Sequence, residues 1–460
     1  MIRIQEKLDL KNEVKDLVIV ANDNEQTDFF YDVFNQKLEQ FNDELFTTIH
    51  TLGKLKAKRL HIIGKNKLAN DENLKKVIAN IIHLKDECIV LTDSFTQDEL
   101  GFLPLLVEKM VVQSYKMDTF KSKKADKKSD VSFYGQSDIN SKIEEGMILG
   151  ESINKAKDLV NTPYNYMNAK DLADYAKTLE KYDGISVKIY EKTEIEEMNM
   201  GSFLGVNKGS SDEPYLIFIE YKSEGNSDEP LALVGKGVMY DTGGYSLKTP
   251  QSMPGMKVDM AGAAAVVSAI EGIARLKLDC HVYSIVAATD NRIGDGAIVP
   301  DDILTAANGK TIEIVSTDAE GRLTLADAVW FAQEKGAKKV IDVATLTGAI
   351  LVSLAQYYTG AFTNDQKFYD EFKKVTEESK EDIWLMPVSK AFHDELKSNV
   401  ADISNKGGRF GGSSIAAAFI EEFINEDTSW IHLDVAGTAS NKKDGATGVM
   451  VKSFIKLFQK

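Results

Sequence analysis

The sequence of 460 residues predicts an α/β fold with two domains, a smaller N-terminal one joined by a helix to a larger C-terminal one. Short β-rich segments alternate with amphipathic segments along the chain, as is typical of sheets covered by helices. The composition is 43% hydrophobic and 27% charged, and no apolar run approaches the ~20 residues of a membrane-spanning helix. Charged residues close to Met1 interrupt any apolar stretch there, so we expect no signal peptide and no membrane association.

In the N-terminal domain, β-rich segments predict strands, and helical patterns such as residues 29–41 lie between them. The predicted strands are residues 17–20, 59–63 and 88–91. Residues 121–130 contain five lysines and one apolar residue, so they predict a solvated linker, with a patch for an anionic partner as the alternative. We therefore expect domains at residues 1–137 and 138–460.

The larger domain begins with a predicted connecting helix at residues 139–160, where apolar residues recur every three or four positions before Pro163. Beyond it, nearly continuous apolar strands alternate with helices, which favours a sheet covered by helices on both faces. We expect this sheet to be mixed. We predict strands at 215–219, 231–234, 281–287 and 340–344, and helices at 260–276, 323–334 and 415–424.

The acidic charge is concentrated in the larger domain. The net charge is −16, but residues 1–137 contain 21 basic and 22 acidic side chains, so the remainder has 34 against 49. This distribution argues against nucleic acid as a partner and favours cations, either metal ions or protonated amines, although solubility alone would also explain it. The only cysteines, Cys88 and Cys280, are far apart in apolar sequence, which predicts buried thiols in a cytoplasmic protein.

Two carboxylates stand at the borders of predicted elements. Asp241 follows the strand at 231–234 on a glycine-bearing turn and is flanked by Lys236 and Lys248. This segment lacks the third glycine of a dinucleotide-binding loop and is no nucleophile elbow. Asp259 precedes a helix rich in alanine and glycine, where it is either an N-cap or a ligand.

A third acidic segment places Asp318, Glu320 and Arg322 two residues apart, so in an extended chain they would point the same way. The alternatives are a surface ion-pair cluster and a buried group that needs a cation. Carboxylate oxygens suit Mg²⁺ or Mn²⁺, can bridge two ions, and do not exclude Zn²⁺. The six histidines form no zinc-binding pattern.

From residue 161 to the C-terminus, the chain resembles the leucyl aminopeptidase (cytosol aminopeptidase) family of two-metal exopeptidases. The similar blocks keep the family's order over about 300 residues, whereas the N-terminal domain resembles the family only in size and pattern. These blocks are residues 161–165, 234–248, 257–264, 317–323, 342–349 and 432–438.

The resemblance implies a metal-dependent aminopeptidase that releases an apolar, leucine-like N-terminal residue from peptides through a water activated by two metal ions. The implied metals are Mn²⁺ or Zn²⁺, with Mg²⁺ and Co²⁺ as further candidates. Asp241 and Glu320 would bridge the two ions. The implied ligands are Lys236, Asp241, Asp259, Asp318 and Glu320.

Lys248 and Arg322 are the implied catalytic pair. Lys248 would stabilise the oxyanion, and Arg322 with backbone near Leu346 would hold bicarbonate as a proton shuttle. The pocket for the first side chain would include Met256, Thr345 and Gly348, although ordinary packing explains these residues equally well. The family also implies a homohexamer.

Some positions depart from the family pattern without removing a ligand. They are Tyr164, Ala261 and Ser316, of which Ser316 could alter hydrogen bonds behind the metals. The glycine-rich residues 407–414 lack the Lys-Ser/Thr of a phosphate-binding loop, so we interpret them as structural.

Two other functions compete with this one. Residues 241–243, Asp-Thr-Gly, are the triplet of aspartic proteases, but that chemistry needs two such carboxylates in an all-β fold. A catalytically silent scaffold or regulator that keeps the fold is the second alternative.

Overall fold

The protein is described by a computed structural model over residues 2–4, 14–22, 29–84, 86–125, 128–135, 139–442 and 444–459. The chain forms two compact units, Met1–Asn154 and Lys155–Lys460. Within the described ranges, no helix has both the length and the apolar character needed to cross a membrane.

The first unit contains a six-stranded sheet in the order β1-β6-β5-β2-β4-β3, in which only the β3–β4 pair is antiparallel. Its strands are β1 (Ile2–Ile4), β2 (Asp16–Val20), β3 (Phe46–His50), β4 (Arg59–Ile63), β5 (Cys88–Leu91) and β6 (Val131–Tyr134). Its helices are α1 (Phe29–Phe34), α2 (Asp71–Ile82), α3 (Gln97–Gly101), α4 (Leu103–Gln113) and the start of α5 (Ile139–Asn161). The α/β prediction is confirmed, and Cys88 is buried as a free thiol.

The basic segment 121–130 lies inside this unit, because β6, which follows it, pairs with β5 in the same sheet. Ile139 and Ile143 at the start of α5 belong to the core of this unit. The boundary between the two units therefore lies within α5, after Asn154. Residues 126, 127 and 136–138, in the predicted linker and at the predicted boundary, lie outside the described residues.

The helix predicted at 29–41 is interrupted. Helix α1 ends at Phe34, and Asn35 has a φ of 52°, in the left-handed region that ends helices. A separate 3₁₀ turn follows at Leu38–Phe41.

The second unit has an eight-stranded sheet in the order β15-β14-β17-β13-β9-β10-β8-β7. Its strands are β7 (Ile185–Tyr190), β8 (Tyr215–Lys222), β9 (Leu231–Asp241), β10 (His281–Asn291), β13 (Lys339–Ala344), β14 (Thr359–Thr363), β15 (Ile383–Leu385) and β17 (Ser429–Asp434). Smaller sheets contain β11 (Ile303–Thr305), β12 (Thr311–Glu313) and β16 (Ile403–Ser404), and β18 (Ser440–Asn441) with β19 (Gly445–Ala446).

Ten helices of the described chain complete this unit after α5. They are α6 (Ala169–Lys177), α7 (Lys192–Glu197), α8 (Gly201–Asn207), α9 (Ala261–Arg275), α10 (Gly321–Glu334), α11 (Gly348–Leu354), α12 (Gln366–Ser379), α13 (Lys390–Asp394), α14 (Gly412–Glu421) and α15 (Val451–Lys456). Cys280 is also a buried free thiol.

The predicted mixed sheet is confirmed. Its four central strands, β17, β13, β9 and β10, are parallel, whereas β8 and β14 on either side run antiparallel to them. Helix α9 packs closely on one face, because Gly235 of β9 approaches the backbone of Gly262. Ala232 and Val234 face the opposite way, into a core with α10 and α14.

Candidate active site

The central parallel strands end together at one edge of the sheet, and polar residues stand at each end. Asp241 ends β9, Asn291 ends β10, Asp434 ends β17, and Thr345 directly follows β13. Ligand sites of open α/β sheets form at the carboxyl ends of their strands. The strands β9 and β10 are both 11 residues long and reach this edge because they extend beyond their predicted ends.

A bulge in β9 determines the direction of Asp241. The register pairs Val238 with Thr289 but Asp241 with Asn291, so β9 advances three residues where β10 advances two. Side chains alternate between the faces of a regular strand, which would put Lys236 and Asp241 on opposite faces. The extra residue brings Asp241 onto the face of Lys236, as bulges do when they redirect a side chain.

Lys236 is the centre of the buried polar cluster. Its Nζ lies 2.7 Å from Asp259 Oδ2 and 2.9 Å from Glu320 Oε1, and it donates to the Thr345 carbonyl at 3.1 Å. Oxygen atoms of Asp241, Asp259 and Glu320 all lie within 4.8 Å of one another. The structure therefore brings together four of the five ligand residues that the resemblance implies.

Asp259 is not a helix cap. It lies in the 3₁₀ turn Met256–Met260, and α9 begins after Met260 without a side-chain cap. Its Oδ1 accepts a hydrogen bond from Thr345 Oγ1 at 2.8 Å, so its carboxylate points into the cluster.

The expectation that Asp318, Glu320 and Arg322 share one side of an extended segment is wrong. The chain turns before α10, Glu320 has helical backbone angles, and Arg322 lies in the first turn of α10. Glu320 and Arg322 are buried, which also excludes a surface ion-pair cluster. Glu320 contacts Lys236, Arg322 donates to the Asn405 carbonyl at 2.9 Å, and Asp318 contacts Lys248.

Lys248 connects the cluster to solvent. Its Nζ lies 2.6 Å from Asp241 Oδ2 and 2.5 Å from Asp318 Oδ1, and 15% of its side chain is exposed. The turn that places it requires glycine at 243, where φ is +84° and a Cβ would lie 2.6 Å from the Ser246 carbonyl oxygen. Asp318 is the most exposed of the implied ligands and is the fifth member of the group.

Burial and mutual repulsion shift the pKa values in this cluster. Burial raises the pKa of Asp241 to about 6, and Glu320 adds to the shift. Burial also raises the pKa of Glu320, but Lys236 and Lys248 outweigh it and lower that pKa to about 2. Burial disfavours the ammonium of Lys236, yet the carboxylates of Asp259 and Glu320 raise its pKa above the usual range. The carboxylates of Asp241, Asp259, Asp318 and Glu320 thus face the two lysines, Lys236 and Lys248.

This donor set fits divalent cations. If all six groups are charged, four carboxylates and two ammoniums leave an excess of two negative charges in a largely buried place, which is costly without further cations. Carboxylate oxygens within 4.8 Å of one another are ligands that Mn²⁺, Zn²⁺ and Mg²⁺ accept. Lys236 would have to lose its proton to act as a ligand, and a neighbouring dication favours that loss.

A cavity of about 490 Å³ lies beside the cluster. Asp318 and Arg322 line it, as do Leu346 and Gly348 from the segment after β13. Burial lowers the pKa of Arg322 to about 10, and its Nε has no hydrogen-bond partner among the described residues. Met256 and Thr345, which the resemblance also implies for the pocket, are not part of the lining of this cavity.

Sequence patterns did not identify several residues that support the site. Asn291 Nδ2 donates to Asp241 Oδ1 at 2.8 Å and to the Thr317 carbonyl at 3.0 Å. Asp434 accepts hydrogen bonds from the Leu346 N–H at 3.2 Å and from the Thr347 hydroxyl at 2.6 Å, which holds the segment after β13. The position of Asn291 and Asp434 at strand ends is the signal that could have indicated them.

Known proteins are similar to this chain in fold and in sequence. The model of the cytosol aminopeptidase family, catalytic domain, matches residues 154–455. A probable cytosol aminopeptidase of Bacillus subtilis (strain 168) is 40% identical over 427 residues, which cover 88% of this chain and 85% of that protein. The solved structure of a mutant tomato leucine aminopeptidase matches with a TM-score of 0.83 and 30% identity, covering 99% of this chain and 96% of that one.

Fold and relatives together define the class of protein, a hydrolase that acts as an exopeptidase of the aminopeptidase type. The chain belongs to the cytosol aminopeptidase family, so the resemblance in the sequence is confirmed.

Proposed function

We propose that this chain is a metal-dependent aminopeptidase that releases apolar, leucine-like residues from the N-termini of peptides. The observation that carries the proposal is the convergence of Lys236 with Asp259 and Glu320 at 2.7 and 2.9 Å, next to Asp241. An aspartic protease would instead need a second carboxylate of the Asp-Thr-Gly type sharing a proton with Asp241, whereas Asp241 faces Lys248 at 2.6 Å.

Two divalent ions fit the cluster, with Mn²⁺ or Zn²⁺ as our first candidates and Mg²⁺ and Co²⁺ as the others. Asp241 and Glu320 would bridge them, as the family resemblance implies; both are buried, and their oxygens lie within 4.8 Å of each other. The remaining ligands would be Lys236, Asp259 and Asp318. When bound, the ions would supply Lewis acidity and lower the pKa of a water molecule.

The two cationic residues at the edge of the cluster would act on the substrate. The carboxylates of Asp241 and Asp318 outweigh partial burial and raise the pKa of Lys248, so its ammonium stays protonated. It can therefore donate a hydrogen bond to the oxyanion that develops on the scissile carbonyl. Arg322 and the backbone near Leu346 line one cavity and would hold bicarbonate, a weak base suited to proton transfer.

The first side chain of the substrate would contact Met256, Thr345 and Gly348. Thr345 lies at the cluster through its bond to Asp259, and Gly348 borders the cavity. From the family resemblance we further propose a cytoplasmic homohexamer. Light scattering coupled to gel filtration measures the assembly, with six times 50.9 kDa as the expected mass.

The test uses metal-stripped protein with Mn²⁺, Zn²⁺, Co²⁺ or Mg²⁺ added back, and leucyl-p-nitroanilide as the substrate. We expect activity to return with metal and to be absent on the N-acetylated substrate, which lacks the free amine. Binding of two ions per chain without activity on leucyl substrates would favour a narrower specificity or the scaffold alternative.

A pair of variants separates ligand loss from general damage. Glu320→Gln should lose metal binding and activity. Glu271→Gln is the matched control, because Glu271 is also buried but accepts hydrogen bonds from Tyr175 and Tyr182 at 2.5 and 3.0 Å, away from the cluster. Equal metal binding by both variants would contradict the ligand role of Glu320.

A further inference from the structure

The cavity beside the cluster has a cationic side that the proposed chemistry does not use. Its volume of about 490 Å³ is within the range of small-ligand sites. Asp318, Arg322 and residues 406–409 are among the residues that line it. We refer to Lys406-Gly407-Gly408-Arg409 as the 406–409 segment.

Lys406 and Arg409 are both exposed on this segment, and neither forms an ion pair with any residue that the structure describes. The carboxylate of Glu395 accepts a hydrogen bond from the Gly408 N–H at 3.2 Å, and Glu395 does not line the cavity. Two cations without acidic partners in one cleft favour an external anion.

The backbone at the start of the 406–409 segment is firmly held. Asn405, which precedes the segment, is buried; its Oδ1 accepts from the Val315 N–H at 2.8 Å, and its Nδ2 donates to the Ser316 carbonyl at 2.7 Å. Its own carbonyl accepts from Arg322, which is 8% exposed and whose Nε has no partner among the described residues. The main chain at the start of the segment is therefore fixed before any ligand binds, which reduces the cost of binding.

We propose that Lys406 and Arg409 bind the C-terminal carboxylate of short peptides, so that the enzyme selects di- and tripeptides with a free carboxyl group. This inference rests on the proposed aminopeptidase function and adds the substrate class. In the proposed reaction the free amino end of a peptide lies at the metal cluster, and the negative carboxyl end of a short peptide suits the 406–409 segment. The 406–409 segment thus complements the carboxyl end of a peptide whose amino end lies at the cluster.

Peptide length limits this recognition. Each further residue lengthens an extended peptide by ~3.3–3.6 Å, so the carboxylate of a longer peptide passes beyond the cavity. A preference for the free acid over the C-terminal amide should therefore be strong for two or three residues and absent for five.

The experiment measures kcat/KM of the metal-loaded enzyme for Leu-Gly, Leu-Gly-Gly and a leucyl pentapeptide, each as the free acid and as the amide. We expect the short acids to exceed their amides on the order of 10-fold, the size of one charge-assisted hydrogen bond. The ratio should fall as salt is added, because the contact is partly exposed. For the pentapeptide the ratio should be close to one.

Variants assign the effect to the two cations. Arg409→Gln combined with Lys406→Gln should bring the acid-to-amide ratio of the short peptides close to one, and Arg409→Glu should favour the amides. Lys397→Gln is the matched control, since Lys397 is exposed and pairs with Asp394 at 2.8 Å outside the cavity lining; it should keep the wild-type ratio.

The outcomes separate the two proposals. A wild-type ratio near one at every length, or a ratio that survives in the double variant, would overturn the carboxylate site and leave the aminopeptidase function standing. No cleavage of any of these peptides with any metal would overturn both.

Discussion

Replacement of Lys248 by methionine tests the role of the cation that the structure places between the buried cluster and solvent. The variant keeps most of the side-chain volume and removes the ammonium, which now contacts Asp241 and Asp318 at 2.6 and 2.5 Å. Neither contact makes Lys248 a ligand in our proposal. We therefore expect the variant to bind metal at least as tightly as the wild type, because a positive charge leaves the neighbourhood of the ions.

The expected loss in rate follows from the geometry. An ammonium about 4 Å from a developing negative charge stabilises it by about 4 kcal/mol at the effective dielectric constant of ~20 typical of such sites. This value does not yet include the weakening by other carboxylates that bind the same ammonium. Lys248 already has two carboxylate partners, so the net value should be nearer 3 kcal/mol. At about 1.4 kcal/mol per tenfold, kcat should fall on the order of 10² to 10³, as for the loss of one oxyanion-stabilising donor.

The assay compares kcat and KM for leucyl-p-nitroanilide with the calorimetric affinity for Mn²⁺, in Lys248→Met and in Lys310→Met. Lys310 is the control, because it also pairs with a carboxylate, Glu422, at 2.5 Å, but this carboxylate is not part of the cluster. A kcat within threefold of the wild type in Lys248→Met would refute the oxyanion role. A loss of Mn²⁺ binding as large as the loss of kcat would show that Lys248 acts through the metals instead.

Three further predictions concern the surroundings of the site. Asp434→Ala should weaken Mn²⁺ binding on the order of 10–100-fold in calorimetry, because it releases the segment after β13 that contacts Lys236 and Asp259; unchanged affinity would contradict this. Gly262→Ala should cost about 1–3 kcal/mol in urea unfolding, since a Cβ there would lie 2.0 Å from a carbonyl oxygen of β13, whereas Gly101→Ala, with open space around its Cβ, should cost little. Burial raises the pKa of Asp327 to about 7, so the folded state retains a proton that the unfolded state releases near pH 4, and the free energy of unfolding should fall as pH rises from about 4 to 7, by up to about 4 kcal/mol. Denaturation at several pH values should show this slope in the wild type and a flatter one in Asp327→Asn, and equal slopes would contradict the assignment.

The sequence contains the identities of the site residues but little of their geometry. The residue types and spacing around Asp241, Asp259 and Glu320 indicate a carboxylate site near strand ends and helix starts, and the structure brings these side chains within 4.8 Å. The alternation of strands and helices was also predictable, because buried strands and amphipathic helices each have a local signature.

The local turn before α10 and the contacts between distant segments were not predictable. The turn before α10 overrides the extended geometry that the spacing of Asp318 and Arg322 suggests, since α10 begins at Gly321. Asn291 supports Asp241 from a strand 50 residues away, and Asp434 supports the segment after β13 from 87 to 88 residues away. Such contacts can be predicted only once the order of the strands in the sheet is known, and no local periodicity of the sequence encodes that order.

The bulge in β9 means that the spacing between Lys236 and Asp241 is as essential as their identities. Removal of a single residue between Val238 and Asp241 would leave every ligand present in the sequence but turn Asp241 to the opposite face of the sheet, towards α9. A relative with such a deletion would still match this motif residue by residue, yet it would lack the carboxylate that we propose as a bridge between the two ions. Whether Asp241 faces Lys236 is therefore decided by the number of residues in this part of β9 as well as by their identities.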